Sequence, residues 1–162
     1  MNDKLKYSKG LLRIFLGWLL LWAFLDKVFG WGFTTVADKS WLEGTSPTLG
    51  FLKFGSSGPF KEIFQTMAGQ PIVDWLFMLG LLLIGVALIL GIASRLATFG
   101  GSVMFALMYL AVLPPEHNPL IDEHIIYILI LLGLYTDEAG NHWGLGRKWQ
   151  QWPLVKNHPW LK

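Results

Sequence analysis

The strongest restriction on this chain is an apolar run from Pro71 to Ile92 whose only charge, Asp74, sits near its start. About 20 apolar residues in a helix cover the ~30 Å hydrocarbon layer of a bilayer. Within that layer every backbone polar group needs an internal partner, which favours helices over open sheets. Three further runs resemble it. The first covers 10–30, with an unbroken apolar core from Ile14 to Leu25. A tight turn with Ser94 and Arg95 leads into the third, 96–113, which Pro114-Pro115 ends. The fourth, 121–136, is short: its 16 residues make ~24 Å of helix. Either the bilayer thins there or the helix entrance sits in a polar recess.

Composition agrees with four spans. Charged residues are 15% and hydrophobic residues 53%, with a mean hydropathy of +0.46; a soluble domain carries roughly 25% charged residues. Nine Trp and eighteen Gly suit membrane interfaces and close helix packing. The hydrophobicity excludes disorder. The absence of Cys excludes disulfides, iron–sulfur clusters and thiolate metal sites. A net charge of +2 gives no reason to expect nucleic acid.

Lys4, Lys6 and Lys9 ahead of an apolar stretch also fit a secretory signal. No small-x-small cleavage site follows and Asp26-Lys27 closes the run, so the segment is expected to remain as a span. Lys4, Lys6, Lys9, Arg13, Arg95, Arg147, Lys148, Lys156 and Lys162 fall on one side, nine of the thirteen basic residues. The positive-inside rule makes that side cytoplasmic. Both termini are then inside, while the long first loop and the loop from Pro114 to Asp122 are outside. Ala87 with Gly91 and Ala97 with Gly101 are small residues four apart that let helices approach. The expected fold is one all-α domain over 1–162, an up-down-up-down integral membrane four-helix bundle, with a cytoplasmic interfacial tail over 137–162.

In the first outer loop, Phe60, Ile63, Phe64 and Met67 repeat at helical spacing between Pro59 and Gly69. This predicts a short amphipathic helix, either floating at the interface or lying over the bundle mouth as a lid. The tail mixes Trp143, Trp149, Trp152 and Trp160 with Arg147 and Lys148, as interfacial anchors do.

Ionisable groups at membrane depth are costly and mark candidate sites. Arg13 is one, though its side chain can also reach lipid phosphates. Asp26 and Lys27 end the first span as an interfacial stop, or as a proton acceptor and an anion clamp. Asp74, His117, Asn118, Asp122, Glu123 and His124 gather at the same outer level. His124 exchanges protons near neutral pH, and Asp122 or Asp26 can tune it. His117, Asp122 and His124 match no established metal spacing, so no metal is expected. Trp18, Trp22, Phe29 and Tyr127 either pack or line a slot for a quinone ring.

The stretch LLRIFLGWLLLWAFLDKVFG at 11–30, with Arg13, Gly17 and Lys27, resembles the first helix of the DoxX membrane proteins. HNPLIDEHIIYILILLGLYTDEAGNHWGLGRKW at 117–149 resembles the closing segment of the DoxD branch, the membrane subunit of thiosulfate:quinone oxidoreductase. The resemblance implies oxidation of thiosulfate to tetrathionate with electrons passed to membrane quinone. Lys27 and Arg13 would then serve binding, with Trp22, Tyr127, His117 and Asn118 around the substrates. His124, Asp122 and Asp26 would handle protons. It also implies a DoxA-like second subunit and a homo- or hetero-oligomer; no comparable soluble domain is fused to this chain. Without Cys, the sulfur chemistry would pass between substrates and involve no protein persulfide. A non-catalytic scaffold for a redox or thiol-stress complex is the alternative. A small transporter is a third, although no broken helix lies mid-span.

Overall fold

The computed structural model describes residues 3–136 and 138–162, with side chains from Leu5 onward. The side chain of Lys4 and the whole of Asp137, where the expected tail begins, lie outside the described residues. All regular structure among the described residues is helical. The long helices are α1 (Asp3–Phe29), α3 (Pro71–Leu90), α4 (Ser94–Ala111) and α5 (Glu123–Thr136), and a short α2 (Lys61–Met67) lies in the loop between α1 and α3. By length and composition, Pro71–Leu90 is the one helix among the described residues apolar and long enough to cross a membrane. Residues 121–136 are shorter than expected as a helix, because α5 starts only at Glu123.

The helix ends follow local chemistry. Pro71 occupies the first turn of α3, where its missing N–H is harmless. Gly91 ends α3 with φ +71°, its N–H donating to the carbonyls of Ala87 and Leu88, a left-handed cap that glycine adopts without strain. Gly91 thus terminates the helix and also admits a close backbone neighbour, since a Cβ there would stand 2.7 Å from the Gly140 carbonyl of the tail. Ala93, also left-handed at φ +48°, turns the chain into α4.

A close helix contact involves a different pair of glycines. A Cβ on Gly17 would stand 2.9 Å from the Gly85 carbonyl, and one on Gly85 would stand 2.9 Å from the Leu21 nitrogen. α1 and α3 therefore touch backbone to backbone, antiparallel. Gly101 of α4 likewise receives Leu131 of α5, where a Cβ would come within 2.7 Å of Cδ1. Between these contacts lies a core that includes Leu20, Met78, Phe105 and Leu131, all nearly inaccessible. Successive long helices run antiparallel, and α1 also touches α5.

The tail is folded under the end where α3 turns into α4. It contains a turn at Ala139–Asn141, then α6 (Gly146–Gln151) and α7 (Pro153–Asn157). The Leu145 N–H donates to the Leu90 carbonyl at 2.8 Å, and the Arg95 N–H donates to the Lys162 carbonyl at 2.6 Å. At the opposite end the long loop folds over α3 and α4. Phe64 of α2 is buried with Leu52 and Ala111 in a small second core. Of the two alternatives for the amphipathic helix, this packing matches the lid. Its start is Lys61, because Gly58–Phe60 forms a tighter 3₁₀ turn first.

Candidate functional site

The site begins with the residue pair that ends α1. Adjacent helical positions project about 100° apart, so Asp26 and Lys27 cannot face the same surroundings. The Asp26 carboxylate is 1% exposed. It accepts hydrogen bonds from the Thr34 hydroxyl at 2.7 Å and from the backbone N–H groups of Thr34 at 2.8 Å, Thr35 at 3.0 Å and Phe33 at 3.3 Å. A carboxylate held by so many donors anchors the turn that follows α1. Its lone pairs are committed within its own loop.

Lys27 points elsewhere. It borders a cavity of ≈ 520 Å³ between α3, α4 and the lid. Val73, Phe77, Gly80 and Ile84 line it from α3, and Gly100, Met104 and Met108 from α4. Phe51, Leu52, Phe64 and Met67 roof it from the lid. Lys27 is the single charged residue in this lining. No hydrogen bond or ion pair engages its ammonium among the described residues. The result is an apolar groove with one unpaired cation at its edge, a shape and polarity suited to an elongated apolar molecule with a polar head. Three methionines, Met104 and Met108 in the wall and Met67 in the roof, adapt easily to such an occupant.

Asp74 holds the roof in place. It is 6% exposed and accepts from the Thr48 hydroxyl at 2.6 Å, the Ser46 hydroxyl at 2.7 Å and the Thr48 N–H at 3.3 Å. Thr48 itself lines the groove. At the far end of the roof the Ser57 N–H donates to the Ala111 carbonyl at 2.8 Å. Sequence reasoning placed Asp74 at the outer level but did not foresee that it pins the lid; its partners come from a loop without periodicity. Met104 and Met108, four apart on α4, were a legible signal that went unused.

The remaining candidates do not join Lys27. Asp122 accepts the N–H groups of His124 at 3.0 Å and Ile125 at 3.3 Å, so it caps α5, and its other oxygen meets His124 Nδ1 at 2.6 Å. His124 is 8% exposed. Its ring lies 6.2 Å from that of Phe105, which in turn lies 5.1 Å from Tyr127. Met104 and Met108 face the groove, whereas Phe105 is one step around α4 and faces α5. One helix therefore stands between the groove and the Asp122–His124 pair. His117 and Asn118 are exposed; the Asn118 side chain accepts the N–H groups of Leu120 at 2.9 Å and Ile121 at 3.1 Å, shaping its own loop. Trp22 meets Trp31 in a tilted contact at 5.2 Å and Phe33 edge-on at 5.0 Å, outside the groove lining.

Arg13 is at the other end of the molecule, 2% exposed. Its guanidinium donates to the carbonyls of Leu88 and Ile89, at the end of α3, and of His142 and Trp143, in the tail. Helix ends leave such carbonyls unpaired and partly negative, and Arg13 answers them. Nε has no partner among the described residues. The side chain is turned into the protein, away from any lipid phosphate. The expected single outer cluster is thus divided into a Lys27 groove, an Asp122–His124 cap beside Phe105 and Tyr127, and separate anchors at Asp26 and Asp74. Comparison of the chain with protein-family models, with curated proteins and with solved structures finds no match.

Proposed function

We propose that the chain is a four-span membrane protein, both termini cytoplasmic, that binds membrane quinone in the Lys27 groove as the membrane subunit of a redox complex. Membrane embedding is supported by where the apolar side chains sit. Only 33% of the apolar window of α3 is buried. Phe15, Leu76, Leu83, Phe99 and Leu129 are between 59% and 72% exposed on the outer faces of the long helices. Water would penalise such a surface, by about 25 cal/mol per Å² of apolar area, and lipid does not. The 27 residues of α1 reach ~40 Å, long enough to cross with a cytoplasmic extension.

The observation that carries the ligand reading is the Lys27 ammonium, with no hydrogen bond or ion pair among the described residues, bordering a mostly apolar groove. A quinone matches it: the ring carbonyl accepts a hydrogen bond from the ammonium, and the tail fills the apolar length. As charge develops on the ring oxygen during reduction, a nearby cation favours it electrostatically. The identity of the donor rests on the resemblance of residues 117–149 to DoxD. Two thiosulfates then yield one tetrathionate and two electrons, and quinone takes up two electrons and two protons to become quinol. A DoxA-like subunit would carry the sulfur half of that reaction, since the groove offers a dianion only one cation. His124 with Asp122 remains the proton-exchanging pair in this reading, acting from the far side of α4.

Protein reconstituted in nanodiscs is expected to bind a decyl-tailed benzoquinone with one-site saturation, and Lys27→Met to weaken that binding about ten-fold while circular dichroism stays unchanged. Equal affinity of wild type and variant sinks the reading. One observation favours a scaffold instead: Asp26, Asp74 and Asp122 each serve backbone or hydroxyl donors. A partner retained by Lys27→Met but lost on removal of residues 143–162 would support it.

A further inference from the structure

We infer that the quinone enters the groove sideways from the lipid, through the seam between α3 and α4, and that the site selects quinones with a long apolar tail lying past Gly80 and Gly100. This deepens the quinone reading above and rests on it.

The groove is closed above and open on its flank. At the loop end it is roofed, with the roof fastened at one side by Thr48 on Asp74 and at the other by Ser57 on Ala111. On the flank, three of its wall residues also face outward: Leu76 is 66% exposed, Leu107 49% and Val103 45%. An approach from water would have to lift the lid. An approach from lipid meets only side chains that lipid already solvates.

Its length argues for a tail. The α3 wall runs from Val73 to Ile84 and the α4 wall from Gly100 to Ala111, each ~16 Å of helix. A ring held near Lys27, in the last turn of α1, fills the lidded end and leaves the remainder empty. Along that remainder each wall carries one residue without a side chain, Gly80 on α3 and Gly100 on α4. A Cβ on Gly100 would meet only Ile84, at 3.7 Å, and one on Gly80 would meet only the Met104 sulfur, at 3.3 Å. Gly100 leaves room for ordinary contact and Gly80 packs closely on a flexible methionine, whereas Gly17 and Gly85 face backbone. Each CH₂ of a chain buried along these walls contributes ~0.8 kcal/mol.

The test compares a decyl-tailed benzoquinone with the tailless ring in nanodiscs, using wild type, Gly100→Ala, Gly100→Leu and Lys27→Met. Wild type is expected to bind the tailed probe at least about ten-fold more tightly than the tailless one, after correction for partition into lipid. Gly100→Ala, which adds one methyl to the tail path, should reduce the preference for the tail less than Gly100→Leu does. Gly100→Leu should lose the preference for the tail and keep its affinity for the tailless ring. If the wild-type preference is absent, or survives Gly100→Leu, the lateral tail path is overturned, and dependence on Lys27 alone then leaves the quinone reading standing. If neither probe binds wild type, that reading falls with the inference. A flank covered by a second copy would instead show as efficient Leu76→Cys cross-linking between two chains without quinone; the chain has no other Cys, and that result would also overturn the path.

Discussion

Arg13 and Ile89 lie 76 positions apart in sequence and meet at 2.9 Å, guanidinium to carbonyl. The same guanidinium also reaches Leu88, His142 and Trp143, so one side chain ties α1, the end of α3 and the start of the tail together. A lysine ammonium cannot fork across two helix carbonyls and a turn at once. Arg13→Lys is therefore expected to destabilise the fold by about 2 kcal/mol and to speed amide exchange first at residues 142–145. Unchanged protection there would show that the clasp does not hold the tail.

Asp26 should prove to be an anchor. Asp26→Ala strands the Thr34 hydroxyl and the N–H groups of residues 33–35, for an expected loss of about 3 kcal/mol. Asp26→Asn keeps an acceptor oxygen and should lose clearly less. Denaturation monitored by circular dichroism in detergent checks both, and a proton-acceptor role would appear instead as lost activity at full stability.

Releasing the roof should be possible without unfolding the body. Asp74→Ala removes the acceptor for Thr48 and Ser46, so the lid should sample open states. A single Met67→Cys in this Cys-free chain reports on that opening. Its labelling by a water-soluble maleimide is expected to rise about ten-fold when Asp74→Ala is added, with the thermal midpoint moving little. Equal labelling would place the hold on the lid elsewhere.

Gly85 is a sensitive position in the α1–α3 contact. A Cβ there would stand 2.9 Å from the Leu21 nitrogen and 3.0 Å from the Gly17 carbonyl. Backbone cannot step aside as a flexible side chain can, so Gly85→Ala is expected to destabilise by about 1–3 kcal/mol. Gly100→Ala, which meets a side chain at 3.7 Å, should be near neutral. Thermal unfolding of the two variants side by side measures the difference, and a reversed order would refute the packing argument.

Much of this was legible from apolar periodicity and helix punctuation. Pro71 and Gly91 punctuate α3, the i, i+3, i+4, i+7 pattern from Phe60 to Met67 marks the lid helix, and Pro114-Pro115 follows α4. These signals act over one to three helical turns, within reach of local reading. The partners of the charged residues were not legible. Asp26, Asp74 and Arg13 each find their donors or acceptors in loops and helix ends, where no repeat betrays which backbone group will be left unpaired.

The sequence alone determined that the chain is helical and that 71–92 holds a run apolar and long enough to cross a membrane, because composition and spacing depend only on residue type and order. Tertiary structure decided the site. Whether Asp26 and Lys27 act together depends on the direction each takes from the end of α1, and whether Lys27 meets His124 depends on which face of α4 lies between them. Those directions are set by glycine contacts such as Gly17 on Gly85, which fix how closely the helices approach and so where a groove remains. Neighbours in sequence were thereby separated, and Lys27 came to border a groove whose other walls are supplied by residues 47–111.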